Sequence, residues 1–519
     1  MSTQPTLRAF YLSPSAADAP AAAVPATAVP AADAPAAASH ASPASAFAVL
    51  HAAHGPARAK AVLMCPPFGW DDMCSYRIRR EWAERLAREG YATLRIDLPG
   101  SGDSAGAAGD PGQLDAWTSA VDAAARWLRD AEGAGTRQVA VIGIGLGGLV
   151  ACRAVSQGAP IDELVLWSVP ARGRTLVREL RVFSQLEVAN VLAQGESTPG
   201  EDPLEEGAVA ANGYLLSSET VRELEALDLR ERAFAARAPR RALLLGRDGM
   251  KIDEALAQAL ERAGSAVERA DGPGFGAMMT ETQDARPPLE VFKLLDAWLA
   301  KDEPQAAAPA TAVGEQEPTA STTRAASTGS SARPGSRAHD ELKLEHAGVA
   351  LRERPLFLEG PSGRLFGVLC EPLGTRLQLT ALLLNAGPQR RTGPNRMWVE
   401  IARRWAARGV PTLRLDADGI GDADGDGAAL GQVAAFYRPR YVEQTRVALE
   451  LLAARGLPPR FVTLGLCSGG YWAAQAALRD ERVASVIMLN PRTLVFDEWR
   501  HAARRSRHLR ERALEVSTW

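Results

Sequence analysis

The chain has 519 residues, of which 46% are apolar and 23% charged, and it carries a formal net charge of −3. This composition is typical of a folded protein with two or more domains, and so small a net charge gives no reason to expect nucleic acid or an anionic membrane as a partner. Five cysteines without a Cys-x-x-Cys pair argue against a disulfide framework or a metal site.

The N-terminal residues lack a charged stretch followed by an apolar one, so they do not predict a signal peptide. No run of apolar residues is long enough to predict a membrane span. We therefore expect a cytoplasmic protein, and nothing in the sequence points to a cofactor. The oligomeric state stays open.

Residues 1–300 predict one domain that is interrupted by a low-complexity segment. Residues 13–45 are almost entirely Ala, Pro, Ser and Asp, which bury too little apolar surface to offset the entropy of ordering. We expect them to be a disordered insertion in the turn of a β-hairpin formed by residues 8–12 and 47–50. From residue 61 onward, strand-like runs alternate with helical periodicity, which predicts βαβ units and a mostly parallel sheet.

The rest of the first domain predicts a lid and two closing strands, and a linker follows it. Residues 171–235 are irregular and helical, as an inserted lid would be, and residues 241–245 and 266–269 predict two closing strands. Residues 301–340 are rich in Ala, Pro, Ser, Thr and Gly without periodicity, which predicts a disordered linker.

The remainder of the chain, residues 341–519, repeats the first domain. Residues 93–103 and 412–422 share the pattern Thr-Leu-Arg-x-Asp followed by a glycine-rich turn and a further Asp, and such self-similarity predicts a tandem duplication. The second copy has no counterpart of residues 240–300, so we expect it to be incomplete at its C-terminal end.

Each copy contains a buried strand, a glycine-crowded turn and a helix. Residues 465–469 read Gly-Leu-Cys-Ser-Gly, which fits Gly-x-nucleophile-x-Gly, the sharp turn that exposes a nucleophile above a parallel sheet. The flanking glycines are needed because this turn is strained and packs against neighbouring backbone. In the first copy the same plan puts Gly145 at the nucleophile position.

These stretches resemble the α/β-hydrolase superfamily, close to its serine-aminopeptidase-like branch. The resemblance rests on the two turns and on residues 66–70, 97–104 and 272–279. It implies an α/β fold class, with two tandem α/β-hydrolase-fold domains that have mostly parallel sheets, the second C-terminally incomplete. It also implies acyl chemistry on an ester, thioester or amide, with a small acyl compound as substrate and no cofactor.

The resemblance implies a degenerate site in the first domain. A superfamily member needs a nucleophile, an acid and a histidine, but Gly145 has no side chain to attack with. We expect Leu146 and Phe68 to belong to this degenerate site as well. No histidine occurs between residues 54 and 339, so no general base of the usual kind is present.

Other residue types stand where the acid and the histidine would be. Asp248 and Asp253 are the candidates for the acid, and Gln283 or Phe275 falls where the histidine is expected. Without a histidine to orient, an acid at this position has no catalytic role of the usual kind. A retained pocket or a structural partner role is therefore the better interpretation of this domain than hydrolysis.

In the second domain Cys467 occupies the nucleophile position. Dienelactone-hydrolase-like members of the superfamily use Gly-x-Cys-x-Gly in this way, and a thiol is a good nucleophile at a helix N-terminus. The backbone N–H of Ser468 would form half of an oxyanion hole and the loop at Gly387 the other half, although Pro388 in that loop cannot donate. The sequence supplies no base for this thiol.

Structural interpretations compete with these functional ones. Cys467 could be a small inert residue at a crowded turn, and Ser468 is a poorer nucleophile candidate because it sits one place late. Asp97 and Asp416 are expected to hold the turns that follow them by side-chain-to-backbone hydrogen bonds. The other four cysteines are expected in the core or in loops (Cys65, Cys74, Cys152 and Cys370).

The remaining candidates are expected to lie at the surface. His51 and His54 flank a hairpin strand, and His501 and His508 belong to a basic tail with the arginines of residues 500–512. Gly143-x-Gly145-x-x-Gly148 matches a dinucleotide fingerprint only superficially, because no acidic ribose ligand ends the next strand. The hypothesis opposed to an enzyme is a catalytically inactive pseudohydrolase that serves as a binding or scaffold module.

Overall fold

The computed structural model describes residues 7–14, 45–130, 133–193, 204–230, 234, 237–301 and 336–496. Of the predicted features, most of the insertion at 13–45, most of the linker and the basic tail lie outside the described residues. In the described residues, two large β-sheets, each packed against helices, make up most of the fold, and a two-stranded sheet accompanies them. An α/β fold is thereby confirmed.

The first sheet has nine strands in the order β10-β9-β6-β5-β3-β4-β2-β1-β11. Its strands are β1 (Leu7–Ser13), β2 (Ala46–His51), β3 (Lys60–Cys65), β4 (Thr93–Ile96), β5 (Gln138–Ile144), β6 (Glu163–Trp167), β9 (Arg241–Leu245), β10 (Ala266–Ala270) and β11 (Arg337–His339). Six neighbouring strands of this sheet, β10, β9, β6, β5, β3 and β4, pair in parallel. Strands β1 and β2 form the predicted antiparallel hairpin.

Helices cover both faces of this sheet because their buried stripes are apolar. They are α1 (Trp70–Arg88), α2 (Gln113–Arg129), α3 (Leu146–Ser156), α4 (Gly173–Ala193), α5 (Ser218–Ala226), α6 (Glu254–Arg262), α7 (Phe275–Met278) and α8 (Leu289–Ala300). Two apolar clusters, one on each face, fill the space between sheet and helices. The predicted lid contains α4, α5 and a small hairpin of β7 (Val209–Ala211) and β8 (Tyr214–Leu216).

The second sheet has seven strands in the order β12-β13-β14-β16-β15-β17-β18. They are β12 (Leu342–His346), β13 (Val349–Gly360), β14 (Gly363–Pro372), β15 (Thr380–Leu384), β16 (Thr412–Asp416), β17 (Phe461–Leu466) and β18 (Val483–Leu489). Three α-helices pack on it: α9 (Met397–Ala407), α10 (Pro439–Ala454) and α11 (Ser468–Ala477). Short 3₁₀ turns span Pro394–Arg396, Gly427–Gly431 and Val433–Tyr437.

The two sheets share the order and direction of six strands. The order β1-β2-β4-β3-β5-β6 matches β13-β14-β16-β15-β17-β18, and in both sheets two antiparallel pairings are followed by three parallel ones. The register also agrees, since Thr93 pairs with Val62 as Thr412 pairs with Ala381. In the described residues β18 has no neighbour on its outer side, whereas the corresponding β6 is covered by β9 and fully buried.

Two boundaries differ from the sequence-based prediction. The helical spacing of residues 76–89 predicts a helix that begins at Tyr76, but α1 begins six residues earlier, at Trp70. Residues 337–339 were expected in the linker but form β11, which pairs with β1 and extends the first sheet. A three-residue strand carries too little pattern to be separated from a linker by sequence alone.

Candidate functional site

The turn between β17 and α11 holds Cys467 in a strained backbone conformation. Its φ and ψ are 55° and −114°, close to the 51° and −116° of Gly145 at the corresponding turn between β5 and α3. The turn needs glycine on either side, because a Cβ on Gly465 would lie 2.1 Å from the backbone of Gly469. A side chain in such a conformation costs on the order of 1–3 kcal/mol.

The Cys467 thiol is the accessible one among the five. It is partly exposed, while the other four sulfurs are buried. Burial raises the pKa of the Cys74 thiol to about 12 and shifts those of Cys65, Cys152 and Cys370 upward as well. The expectation that these four are core or loop residues is confirmed.

The Tyr437 phenol lies beside Cys467. Burial first, and the neighbouring thiol second, raise the pKa of Tyr437 to about 12. Its ring stacks on Phe496 at 4.6 Å and meets Tyr471 edge-on at 5.1 Å. An aromatic wall therefore flanks the thiol on one side.

The predicted oxyanion donors lie next to each other at the turn between β17 and α11. We call this turn, and the corresponding one between β5 and α3, an elbow. Ser468 is the first residue of α11, where a backbone N–H has no partner within the helix. The Gly387 N–H donates to the Ser468 hydroxyl at 3.2 Å, which places the loop after β15 against the elbow. A bond of that length is at the weak end of the N–H···O range.

No histidine of the described residues lies in this site. His51 was expected at the surface, and this prediction is wrong: it is fully buried, and its Nε2 accepts a hydrogen bond from Arg95 at 2.9 Å. Burial first, and then the Arg95 charge, hold the pKa of His51 well below its usual value. His501 and His508 lie outside the described residues.

A cavity of about 450 Å³ lies above Gly145 in the first half of the chain. Phe68 and Leu146 line it together with Gly145, so three of the predicted degenerate-site residues are brought together. A Cβ added to Gly145 would meet no atom within 4 Å, so the space of a nucleophile is empty. Apolar side chains of α4 supply one wall (Leu176, Leu180, Val182, Phe183 and Leu186).

The residues predicted at the acid and histidine positions of the first half make structural contacts or line the cavity. The Asp248 carboxylate accepts backbone hydrogen bonds from Gly274 and Gly276, each at 2.6 Å. Phe275, between them, lines the cavity. Gln283 is not among the cavity-lining residues, and its side-chain amide donates to Glu281. Asp253, the other candidate acid, caps helix α6.

Asp71 adds a titratable group that the sequence did not single out. It lies in the first turn of α1 and lines the cavity. Burial raises its pKa to about 6, opposed by Arg247 and assisted by Glu179 and Asp72. A carboxyl group that is largely protonated in mildly acidic solution can donate a hydrogen bond to a ligand.

The largest cluster missed by sequence reasoning joins the two halves. Asp97 and Asp416 do hold their turns, by accepting the backbone N–H groups of Asp103 and Asp422 at 3.0 and 3.1 Å. Each turn also receives an arginine from the other half: Arg95 pairs with Asp422 and Arg414 with Asp103, all four buried. Between them Phe47 and Phe366 face each other at 6.4 Å.

These ion pairs are reciprocal. Arg95 and Arg414 each stand two residues before their own turn aspartate, and Asp103 and Asp422 each stand six residues after it. The repeated Thr-Leu-Arg-x-Asp pattern contained this signal, because an arginine in an otherwise apolar strand must find a charged partner when buried.

Comparison with known proteins finds similarity to a hydrolase family in part of the first half of the chain. Residues 47–199 match the model of the serine aminopeptidase family S33. Among solved structures, a hypothetical protein of Pseudomonas aeruginosa is 15% identical, with 57% of this chain and 95% of that chain covered and a TM-score of 0.36. The esterase domain of a Rhodothermus marinus protein is 15% identical, with 56% and 97% covered and a TM-score of 0.34.

A third similar structure is an α/β serine hydrolase without a lid from Xanthomonas campestris. It is 14% identical, with 51% of this chain and 92% of that chain covered and a TM-score of 0.31. A search of curated proteins finds no match. Every helix of the described ranges is too short or too polar to cross a membrane, and the same ranges hold no group of three or more acidic, His or Cys side chains arranged for a metal ion.

Proposed function

We propose that this protein is an α/β-hydrolase relative that forms an acyl-enzyme through Cys467, while its first half does not catalyse. The observation that supports this most strongly is the backbone strain at Cys467. Gly145 shows that glycine satisfies the same turn without strain, so a cysteine kept at φ 55° indicates a use for its side chain.

The step proposed for Cys467 is acyl transfer. Its thiolate attacks the carbonyl carbon of an ester or thioester, and the tetrahedral oxyanion is stabilised by the N–H of Ser468 and of Gly387, which must leave the Ser468 hydroxyl to do so. The C–O or C–S bond then breaks, the leaving alkoxide or thiolate takes a proton from water to replace the one that the Cys467 thiol gave up to water, and the acyl group stays on sulfur. A thiol needs less help from a base than a hydroxyl does, which suits a site without a histidine in the described residues.

We also infer that the two halves are copies of one α/β-hydrolase-like domain. The shared strand order and register support this inference, as do the matching elbow conformations. On this basis Gly387 corresponds to Phe68, and Cys467 to Gly145.

The acyl-enzyme is tested by intact-protein and peptide mass spectrometry after incubation with p-nitrophenyl acetate. We expect one acetyl group per chain, on the peptide that contains Cys467, and none in the Cys467→Ala variant. The other four cysteines are internal controls because they are buried. Acetylation of the wild type no faster than that of glutathione would contradict the proposal.

A second candidate function is binding without turnover in the first half. The cavity above Gly145 and the engagement of Asp248 by Gly274 and Gly276 favour it, since the cavity lies at a turn that carries no nucleophilic side chain. A small compound with an apolar group suits the walls of Phe68 and Phe183. The two functions are separable, because Cys467→Ala removes only the first.

A further inference from the structure

The loop between β15 and α9, residues 385–396, touches both halves of the chain. We call it the shared loop. Its third residue, Gly387, lies against the Cys467 elbow through the 3.2 Å hydrogen bond from its N–H to Ser468. Anything that fixes the shared loop therefore fixes an oxyanion donor of the proposed site.

One side of the shared loop is held within its own half. The Asn385 amide donates to the Gln389 carbonyl at 3.0 Å and to the Asp416 carboxylate at 3.1 Å. The backbone N–H of Arg391 donates to the same carboxylate at 2.6 Å. These bonds hold the loop to its own half, but they do not involve the side chain of Arg390.

The side chain of Arg390 binds the shared loop to the first half. Its guanidinium is bonded to both oxygens of Asp97 at 2.9 and 3.0 Å and to Asp72 at 3.1 Å. It also lies 4.0 Å from the centre of the Tyr76 ring. Arg390 is 5% exposed, so this charge is taken from water and held by partners from the other half.

The end of the shared loop is anchored to the first half as well. Arg396 donates to three backbone carbonyls of the turn after β4, those of Gly102, Ser104 and Gly106, at 2.7 to 2.9 Å. Beside it, Asn395 packs so closely on Gly213 of the lid hairpin that a Cβ there would lie 2.0 Å from its amide. The loop thus has fixed points three and nine residues beyond Gly387.

We propose that the first half of the chain positions the Gly387 N–H for chemistry at Cys467, and that Arg390 is the positioning residue. The inference rests on the proposed function of Cys467 and gives the non-catalytic half a role in it. Arg390 does not touch the reacting atoms. It acts by holding the backbone three residues away, and a displacement of about 1 Å at such a donor is enough to slow a reaction strongly.

The test compares Arg390→Met and Arg390→Lys with Arg403→Met. Arg403 is a matched control because it is equally buried at the same interface, pairs with Glu353 at 2.8 Å and donates to Ser104 at 3.1 Å, but lies on helix α9 rather than on the loop. We expect acetylation of Cys467 to slow at least tenfold in Arg390→Met and less in Arg390→Lys, which keeps the charge but not the two-pronged geometry. Arg403→Met should lose a similar amount of thermal stability yet keep the wild-type rate.

Amide hydrogen exchange of the peptide that contains Gly387 is the second readout, measured in the same full-length variants. Faster exchange in Arg390→Met than in Arg403→Met supports positioning, even if the wild type forms no acyl-enzyme and the proposed function itself fails. Equal exchange, or an equal loss of acetylation rate in Arg390→Met and Arg403→Met, overturns the inference, because the interface then contributes only stability.

Discussion

At the scale of single residues, the two elbows show how one backbone conformation can be filled in two ways. Gly145 adopts φ 51° at no steric cost, whereas Cys467 adopts φ 55° with a side chain. The sequence was sufficient to place both residues, because the spacing of the flanking glycines is a local pattern. It could not show which other groups surround them.

Asp71 allows a prediction about pH. Burial raises its pKa to about 6, against about 4 in an unfolded chain. Between these values the folded state binds the extra proton, so the contribution of Asp71 to the free energy of unfolding is lost as pH rises through that window, by on the order of 2 kcal/mol. Asp71→Asn should therefore be stabilised relative to wild type at pH 7 more than at pH 4.5, as measured by urea unfolding.

The exposed Asp271 offers the control for this measurement. Asp271→Asn removes a carboxylate from the same half of the chain without touching the cavity. If both variants show the same pH dependence relative to wild type, Asp71 does not titrate as its surroundings indicate.

His51 illustrates what residue-level reasoning missed. Its place beside a hairpin strand indicated a surface, but side chains of the second half pack on that strand. They include residues more than 300 positions away, such as Phe366 against Phe47. No window along the sequence contains both, so burial there could not be predicted.

At the scale of elements, the sequence predicted the alternation of strands and helices well and the ends of elements less well. Apolar runs such as residues 241–245 became the strands expected. The short helix α7 was not expected, although it contributes to the first site. Its Phe275 lines the cavity, and the N–H groups of Gly274 and Gly276 donate to Asp248.

Gly145→Ser tests whether the first elbow is inactive for lack of a nucleophile alone. The substitution should be accommodated, since no atom lies within 4 Å of the added Cβ, and the backbone strain should cost about 1–3 kcal/mol. We expect no gain in p-nitrophenyl acetate hydrolysis in a Cys467→Ala background, because Asp248 is engaged by backbone and has no histidine to orient. Measurable turnover that depends on Ser at this position would show that the first site retains a base.

At the scale of the whole molecule, the buried charges hold the halves together. Arg95 with Asp422 and Arg414 with Asp103 are buried ion pairs whose desolvation is offset only while both partners are present. Which residues pair was not predictable, because an Arg in a strand indicates that a partner exists but not where in the chain it lies.

A double-mutant cycle measures this coupling. Arg414→Met and Asp103→Asn should each lower the free energy of unfolding by about 3 kcal/mol, since each leaves a buried charge without one of its partners. The double variant should lose clearly less than the sum, as judged by urea and thermal unfolding. Lys301→Met, which breaks an exposed pair with Glu268, should cost less than about 1 kcal/mol. Additive losses from the two buried substitutions would show that the pair is not coupled.

The reciprocal contact has a consequence for how the two elbows can change. Two identical chains that met through such a contact would carry the same residue at both elbows, so any substitution would appear twice. Here the two sides of the contact are encoded at different places in one chain. One elbow can therefore lose its side chain and keep its cavity while the other keeps a thiol, and neither change is imposed on its counterpart.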